Sequence, residues 1–183
     1  GGGGGGPDPS SYGIYSQEYD TSGAKVGNNI LVNDYTTNVQ NWSSVQSLSD
    51  GKYVVAWSSF DQESPGSWGT YAKIYNQDGT VYKSEFKVND ATINDQHMPV
   101  IADLKNGAFI VSYNSGGFDG KIGLAMGAQI FGYNGTKLGN EFMVNSELAG
   151  NQSNPAITAL DDGSFAIAYN NDAGEDPSGI GIS

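Results

Sequence analysis

The feature that most limits what this chain can fold into is an internal repeat of 56 residues, held without insertion or deletion. Val32-Asn33 comes into register with Val88-Asn89 and Val144-Asn145, and Gln40 with Gln96 and Gln152. Leu48, Leu104 and Leu160 coincide, as do Gly51, Gly107 and Gly163, and an aromatic (Trp57, Tyr113 or Tyr169) follows each of these glycines. A constant period of this size marks one supersecondary unit per copy, which buries its apolar surface against its neighbours. The units run over 13–68, 69–124 and 125–180, with 1–12 as linker plus the tail of a preceding unit and 181–183 as the start of a fourth. Gly6-Pro7-Asp8-Pro9-Ser10 matches Gly174-Glu175-Asp176-Pro177-Ser178 three periods later, so an assembly longer than this chain is expected.

Within a unit the apolar residues alternate with period two, the signature of strands. First strands are expected near Gly13–Tyr19, Gly69–Tyr75 and Ala125–Phe131, and second strands near Asn28–Asn33, Ser84–Asn89 and Asn140–Asn145. Third strands follow at Ser43–Leu48, Pro99–Leu104 and Pro155–Leu160. Asp50-Gly51, Asn106-Gly107 and Asp162-Gly163 then read as hairpin turns, because Asn, Asp and Gly accept the positive φ such turns need. The fourth strands, Lys52–Ser58, Ala108–Asn114 and Ser164–Asn170, are the most apolar and are expected to be buried on both faces. The fold class is therefore all-β: tandem four-stranded antiparallel repeats, packed face to face as β-propeller-like blades or a stacked β array.

Composition narrows the function. Charged residues are only 15% of the chain, and 20 acidic against 8 basic give a net charge of −12. Nucleic acid is excluded as a partner, since binding phosphates needs clustered Lys and Arg. There is no cysteine, so disulfides, thiolate nucleophiles and Cys-bound metal are excluded. No apolar run approaches the ~18 residues of a membrane helix, and no membrane insertion is expected.

Gly139-Asn140-Glu141-Phe142-Met143-Val144-Asn145, followed by Gln152, Pro155, Leu160, Asp162-Gly163 and Phe165-Ala166-Ile167-Ala168-Tyr169, resembles the tandem repeats of very large secreted proteins. Such repeats neighbour hemolysin-type, RTX-like calcium repeats in bacterial adhesins and occur in ciliate surface proteins. The resemblance covers residues 13–180 and implies a secreted or cell-surface array of propeller-like repeats. It brings no catalytic residues, and the Gly-Gly-x-Gly-x-Asp calcium nonapeptide is missing.

Each candidate residue also has an architectural reading. His97, the only histidine, falls in a loop whose equivalents are Asn41 and Ser153, a poor place for an acid–base group. An acidic surface attracts cations, and the loop carboxylates Asp61, Asp119 and Asp176 are the calcium candidates, although no EF-hand or RTX spacing is present. Asn33, Asn89 and Asn145 with Gln40, Gln96 and Gln152 recur in every unit and read as architectural amides that satisfy backbone groups. Tyr12, Tyr15, Trp42, Trp68, Tyr71 and Tyr82 are candidates for sugar stacking or subunit contact, with core packing as the alternative. Asn41, Asn134 and Asn151 head glycosylation sequons, no more than chance provides at this composition, and Asn41 and Asn151 are placed in equivalent loops.

These readings lead to one expectation: a non-enzymatic structural repeat subunit of an extracellular filament, sheath or giant adhesin. Its expected partners are copies of itself or neighbouring repeats, and glycans. The alternative is a calcium- or carbohydrate-binding adhesion module.

Overall fold

The computed structural model describes residues 12–92, 94–118, 123–146, 149–173 and 181–182. Among these there is no helix; every regular element is a strand, and every pairing is antiparallel. β1 (Tyr15–Tyr19) and β2 (Lys25–Leu31) form a pair. β3 (Gln40–Ser47), β4 (Tyr53–Phe60), β5 (Trp68–Tyr75) and β6 (Val81–Lys87) form blade 1. β7 (Gln96–Asp103), β8 (Ala108–Gly116), β9 (Leu124–Gly132) and β10 (Phe142–Met143) form blade 2, and β11 (Gln152–Ala159), β12 (Phe165–Asn171) and β13 (Gly181–Ile182) form blade 3. Hydrogen bonding is therefore out of phase with the sequence unit. Each sheet takes the third and fourth strands of one unit and the first and second of the next.

The turns behave as the residues demand. Gly51, Gly107 and Gly163 sit at φ of 88°, 90° and 85° at the β3–β4, β7–β8 and β11–β12 hairpins. A Cβ is disfavoured at these angles. Strand alternation then sends successive side chains to opposite faces of each blade. Val54, Ala56, Ala72 and Ile74 of blade 1 meet Phe109, Val111, Tyr113 and Phe131 of blade 2. Ala102, Ala108, Ile110 and Ala128 on the other face of blade 2 meet Ile157, Ala159, Phe165 and Ile167 of blade 3. Ile14 and Val32 pack with Val55, Trp57, Tyr71 and Tyr75 on the remaining face of blade 1.

The fourth strands are not all buried on both faces. β4 and β8 are, but β12 exposes Ala166 and Ala168, because no described blade covers its second face. The third strands also start earlier than expected, at Gln40, Gln96 and Gln152, and run through a register shift before Ser44, Val100 and Ala156. These strands, β3, β7 and β11, lie next to one another at the inner edge of the blades. Their first residues, the β4–β5 loop and the β6–β7 connection share one end of the molecule, called the axial end below.

Candidate functional site

The recurrent amides fasten each blade to the next. Asn33, Asn89 and Asn145 follow the outer strands, and their Oδ1 atoms accept the backbone N–H of Ile14, Thr70 and Met126 at 2.8, 2.9 and 2.8 Å. Their Nδ2 groups donate to Oε1 of Gln40, Gln96 and Gln152, at the head of the next inner strand, at 3.2, 3.3 and 3.1 Å. All six are buried, so each bond satisfies a group that would otherwise be desolvated at a cost of about 1–3 kcal/mol.

Carboxylates add a second fastening. Glu85 on β6 accepts the Asp34 N–H at 2.7 Å, and its equivalent Glu141 accepts the Ala91 and Asp90 N–H groups at 2.9 and 3.2 Å and the Tyr113 hydroxyl. Burial raises the Glu141 carboxyl above its ordinary range, against the pull of those two N–H donors. Asp34, Glu63 and Asp90 pair with Lys73, Lys87 and Lys137. The signal for the clasp was present as Glu85 and Glu141 recurring one period apart.

The inner strands carry a different feature at the axial end. Trp42, Met98 and Asn154, equivalent in the repeat, hold φ of 50°, 57° and 57° at the register shifts. Each bulge re-aims a side chain, and a non-glycine residue there costs about 1–3 kcal/mol. The bulge N–H groups of Met98 and Asn154 reach back one blade to Ser58 Oγ at 3.0 Å and Asn114 Oδ1 at 3.1 Å. Pro99 and Pro155, each following a bulge residue, were the sequence signal, since proline inside a strand is confined to edges and bulges.

The bulge leaves Trp42 41% exposed, with its ring centroid 4.8 Å from Trp68 and 5.4 Å from His97. Phe60 backs Trp68 at 5.1 Å. His97 is not a loop residue; it lies half-buried in β7, with Nε2 3.5 Å from Asn114 Nδ2. Burial lowers its pKa from the usual value, and Asp95 pulls in the opposite direction. Asp95 Oδ1 in turn accepts the Trp68 N–H at 3.0 Å.

The other candidates disperse. Asp61 opens the β4–β5 loop, where it accepts bonds from Asn38 Nδ2 at 3.1 Å and from the Gly66 N–H. Asp119 and Asp176 lie outside the described residues. Among the described residues no group of three or more His, Asp or Glu is placed to hold a metal. Tyr71 belongs to the core at 7% exposure, whereas Tyr12, Tyr15 and Tyr82 are exposed. Asn41 sits in β3 rather than in a loop, Asn134 is exposed in the turn after β9, and Asn151 already donates to Asp172 Oδ2 at 2.8 Å. At the opposite end a cleft of about 370 Å³ lies between the inner strands, but Asp103 on its wall is held by Ser49, Tyr133 and the Lys105 N–H.

No protein-family model matches the sequence, and no curated protein matches it. The fold does match solved structures. One is a thermostable family-43 glycoside hydrolase, with 13% identity and a TM-score of 0.52, over 92% of this chain and 65% of that one. Another is the alpha-L-arabinofuranosidase from Lactobacillus brevis, with 15% identity and a TM-score of 0.50, over 88% of this chain and 60% of that one. This chain thus spans less than two thirds of either. At such identities the likeness is one of fold, and it shows antiparallel propeller-like blades. It also corrects the expectation of a filament, sheath or adhesin subunit without enzymatic character, because the structures sharing these blades are glycoside hydrolases. A regular period requires only that blades bury one another, and blades radiating from an axis meet that requirement as well as a fibre does.

Proposed function

We propose that this chain is carbohydrate-active and engages saccharide at the axial end formed by Trp42, Trp68 and His97. The observation that carries the reading is Trp42: a large ring kept exposed by a strained bulge and braced on two other rings. An indole face suits the C–H face of a sugar. The solved glycoside hydrolases with this fold support a sugar as the ligand class. An extracellular location, where polysaccharide is met, belongs to the same proposal.

Hydrolysis of a glycosidic bond needs two carboxyl groups flanking it. Asp61 and Asp95 approach the axial end beside Phe60 and Trp68, and neither has an ion pair among the described residues. They are the first two carboxylates to replace. A panel of polysaccharides, arabinose-bearing ones included, is assayed for retention and for release of reducing sugar. Trp42→Ala is expected to weaken retention on the order of tenfold, about 1.4 kcal/mol. Asp61→Asn and Asp95→Asn are expected to lower sugar release while retention persists. Retention unchanged in a folded Trp42→Ala protein, or no saccharide retained by the wild type, overturns the reading.

A further inference from the structure

We propose that His97 is a pH-sensitive positioning residue for Trp42, holding the indole in its saccharide-engaging pose only while the imidazole is neutral. The inference rests on the saccharide reading above and adds its regulation.

The argument begins at Asn114, which is 1% exposed and fixed in orientation. Its Oδ1 accepts the Asn154 N–H at 3.1 Å, so its NH2 group must point the other way, toward His97 Nε2 at 3.5 Å and Met98 Sδ at 3.6 Å. An amide NH2 can only donate, so Nε2 must offer its lone pair, and the proton of the neutral ring sits on Nδ1. That Nδ1 is buried and has no hydrogen-bond partner among the described residues.

Protonation places a second donor against the Asn114 NH2 and a charge in a half-buried slot. The imidazolium then leaves Asn114 and presses on the π face of Trp42, a neighbour that favours a cation. Trp42 already touches Trp68, so a turn of the His97 ring changes the tilt of the whole platform. The repeat shows that no architectural need fixes an imidazole here, since Asn41 and Ser153 serve the equivalent positions.

The charges around His97 do not reverse this. Of the strands packed on β7, β3, β4, β8 and β11 carry no charged side chain, and β5 carries only Lys73, which is paired with Asp34. Asp95, on the approach to β7, favours the cation, but burial has the larger effect and the pKa lies below the usual 6.5. Asp103, at the far end of β7, is held by Ser49 and Tyr133. In the β4–β5 loop Glu63 is paired with Lys87, and Asp61 is bonded to Asn38 and Gly66.

The test follows the single imidazole by NMR and the tryptophan fluorescence of the free protein across pH 5–8, then saccharide affinity over the same range. The expected result is a fluorescence transition at the imidazole pKa. Affinity should fall about tenfold per pH unit below that pKa, because only the neutral form binds. His97→Asn should bind with no such slope, and Asn114→Ala should raise the imidazole pKa. Fluorescence that ignores the imidazole titration, or a slope that survives in His97→Asn, overturns the inference. Absence of saccharide binding at every pH sinks the functional proposal instead, and the free-protein fluorescence still decides the switch.

Discussion

β8 and β12 occupy the same place in the repeat, yet one is buried along its whole length and the other exposes alternate residues. Phe109 is 0% exposed, whereas its equivalent Phe165 is only partly buried. Leu104 is 3% exposed and its equivalent Leu160 is 45% exposed. The composition of the two strands does not cause the difference. Blade 2 has a neighbour on each face, and blade 3 has a described neighbour on one. Only small side chains, Ala166 and Ala168, face outward from β12, where Val54 and Ile110 fill the corresponding position in β4 and β8. Burial in such an array is thus conferred by the next blade rather than owned by the strand.

That contrast can be broken by paired substitutions. Leu104→Ala should cost about 2–5 kcal/mol in chemical denaturation, and Leu160→Ala less than about half of that. Equal losses would show that the outer face of blade 3 is covered in solution. A smaller effect separates the two blade junctions. Asn89→Ala and Asn145→Ala each remove a buried fastening worth about 1–3 kcal/mol. Hydrogen exchange should show the first loosening blades 1 and 2 together, and the second freeing β11 and β12 alone. Blade-wide loosening by Asn145→Ala would mean that blade 3 supports the centre of the molecule.

The smallest effect concerns pH. Because burial raises the folded pKa of Glu141, its contribution is fully present below the unfolded value near 4.5 and is lost as pH rises through the folded value. Stability measured against pH should therefore slope downward just above pH 4.5. Glu141→Gln, which keeps an acceptor for the Ala91 N–H, should remove that part of the slope. An unchanged profile would show that the carboxylate stays solvated.

Much of the scaffold was legible in the residues. The Asp/Asn-Gly pairs mark the hairpins at Gly51, Gly107 and Gly163, and the recurrent Asn and Gln positions mark the blade-to-blade fastenings. Those features are local, or repeat identically, so spacing alone exposes them. The candidate site was far less legible. Nothing in the sequence joins Trp42 to Trp68 or separates them from Tyr71, which is core. His97 reads as a loop residue because the apolar alternation starts only at Pro99, past the bulge, whereas the strand starts at Gln96. Asn114 carried no signal at all, since its role depends on Asn154 in the next blade.

The order of strands, their turns and the positions of the linking amides are written in the chain itself, because each follows from the conformational preferences of neighbouring residues or from their recurrence at one period. Tertiary structure alone decided which faces are covered, and it alone brought Trp42 of β3, Trp68 of β5 and His97 of β7 into contact. The physical reason is that alternation tells a side chain which face of its sheet to take. Only the stacking of one blade on the next determines whether that face meets protein or solvent, and which rings meet at the axial end.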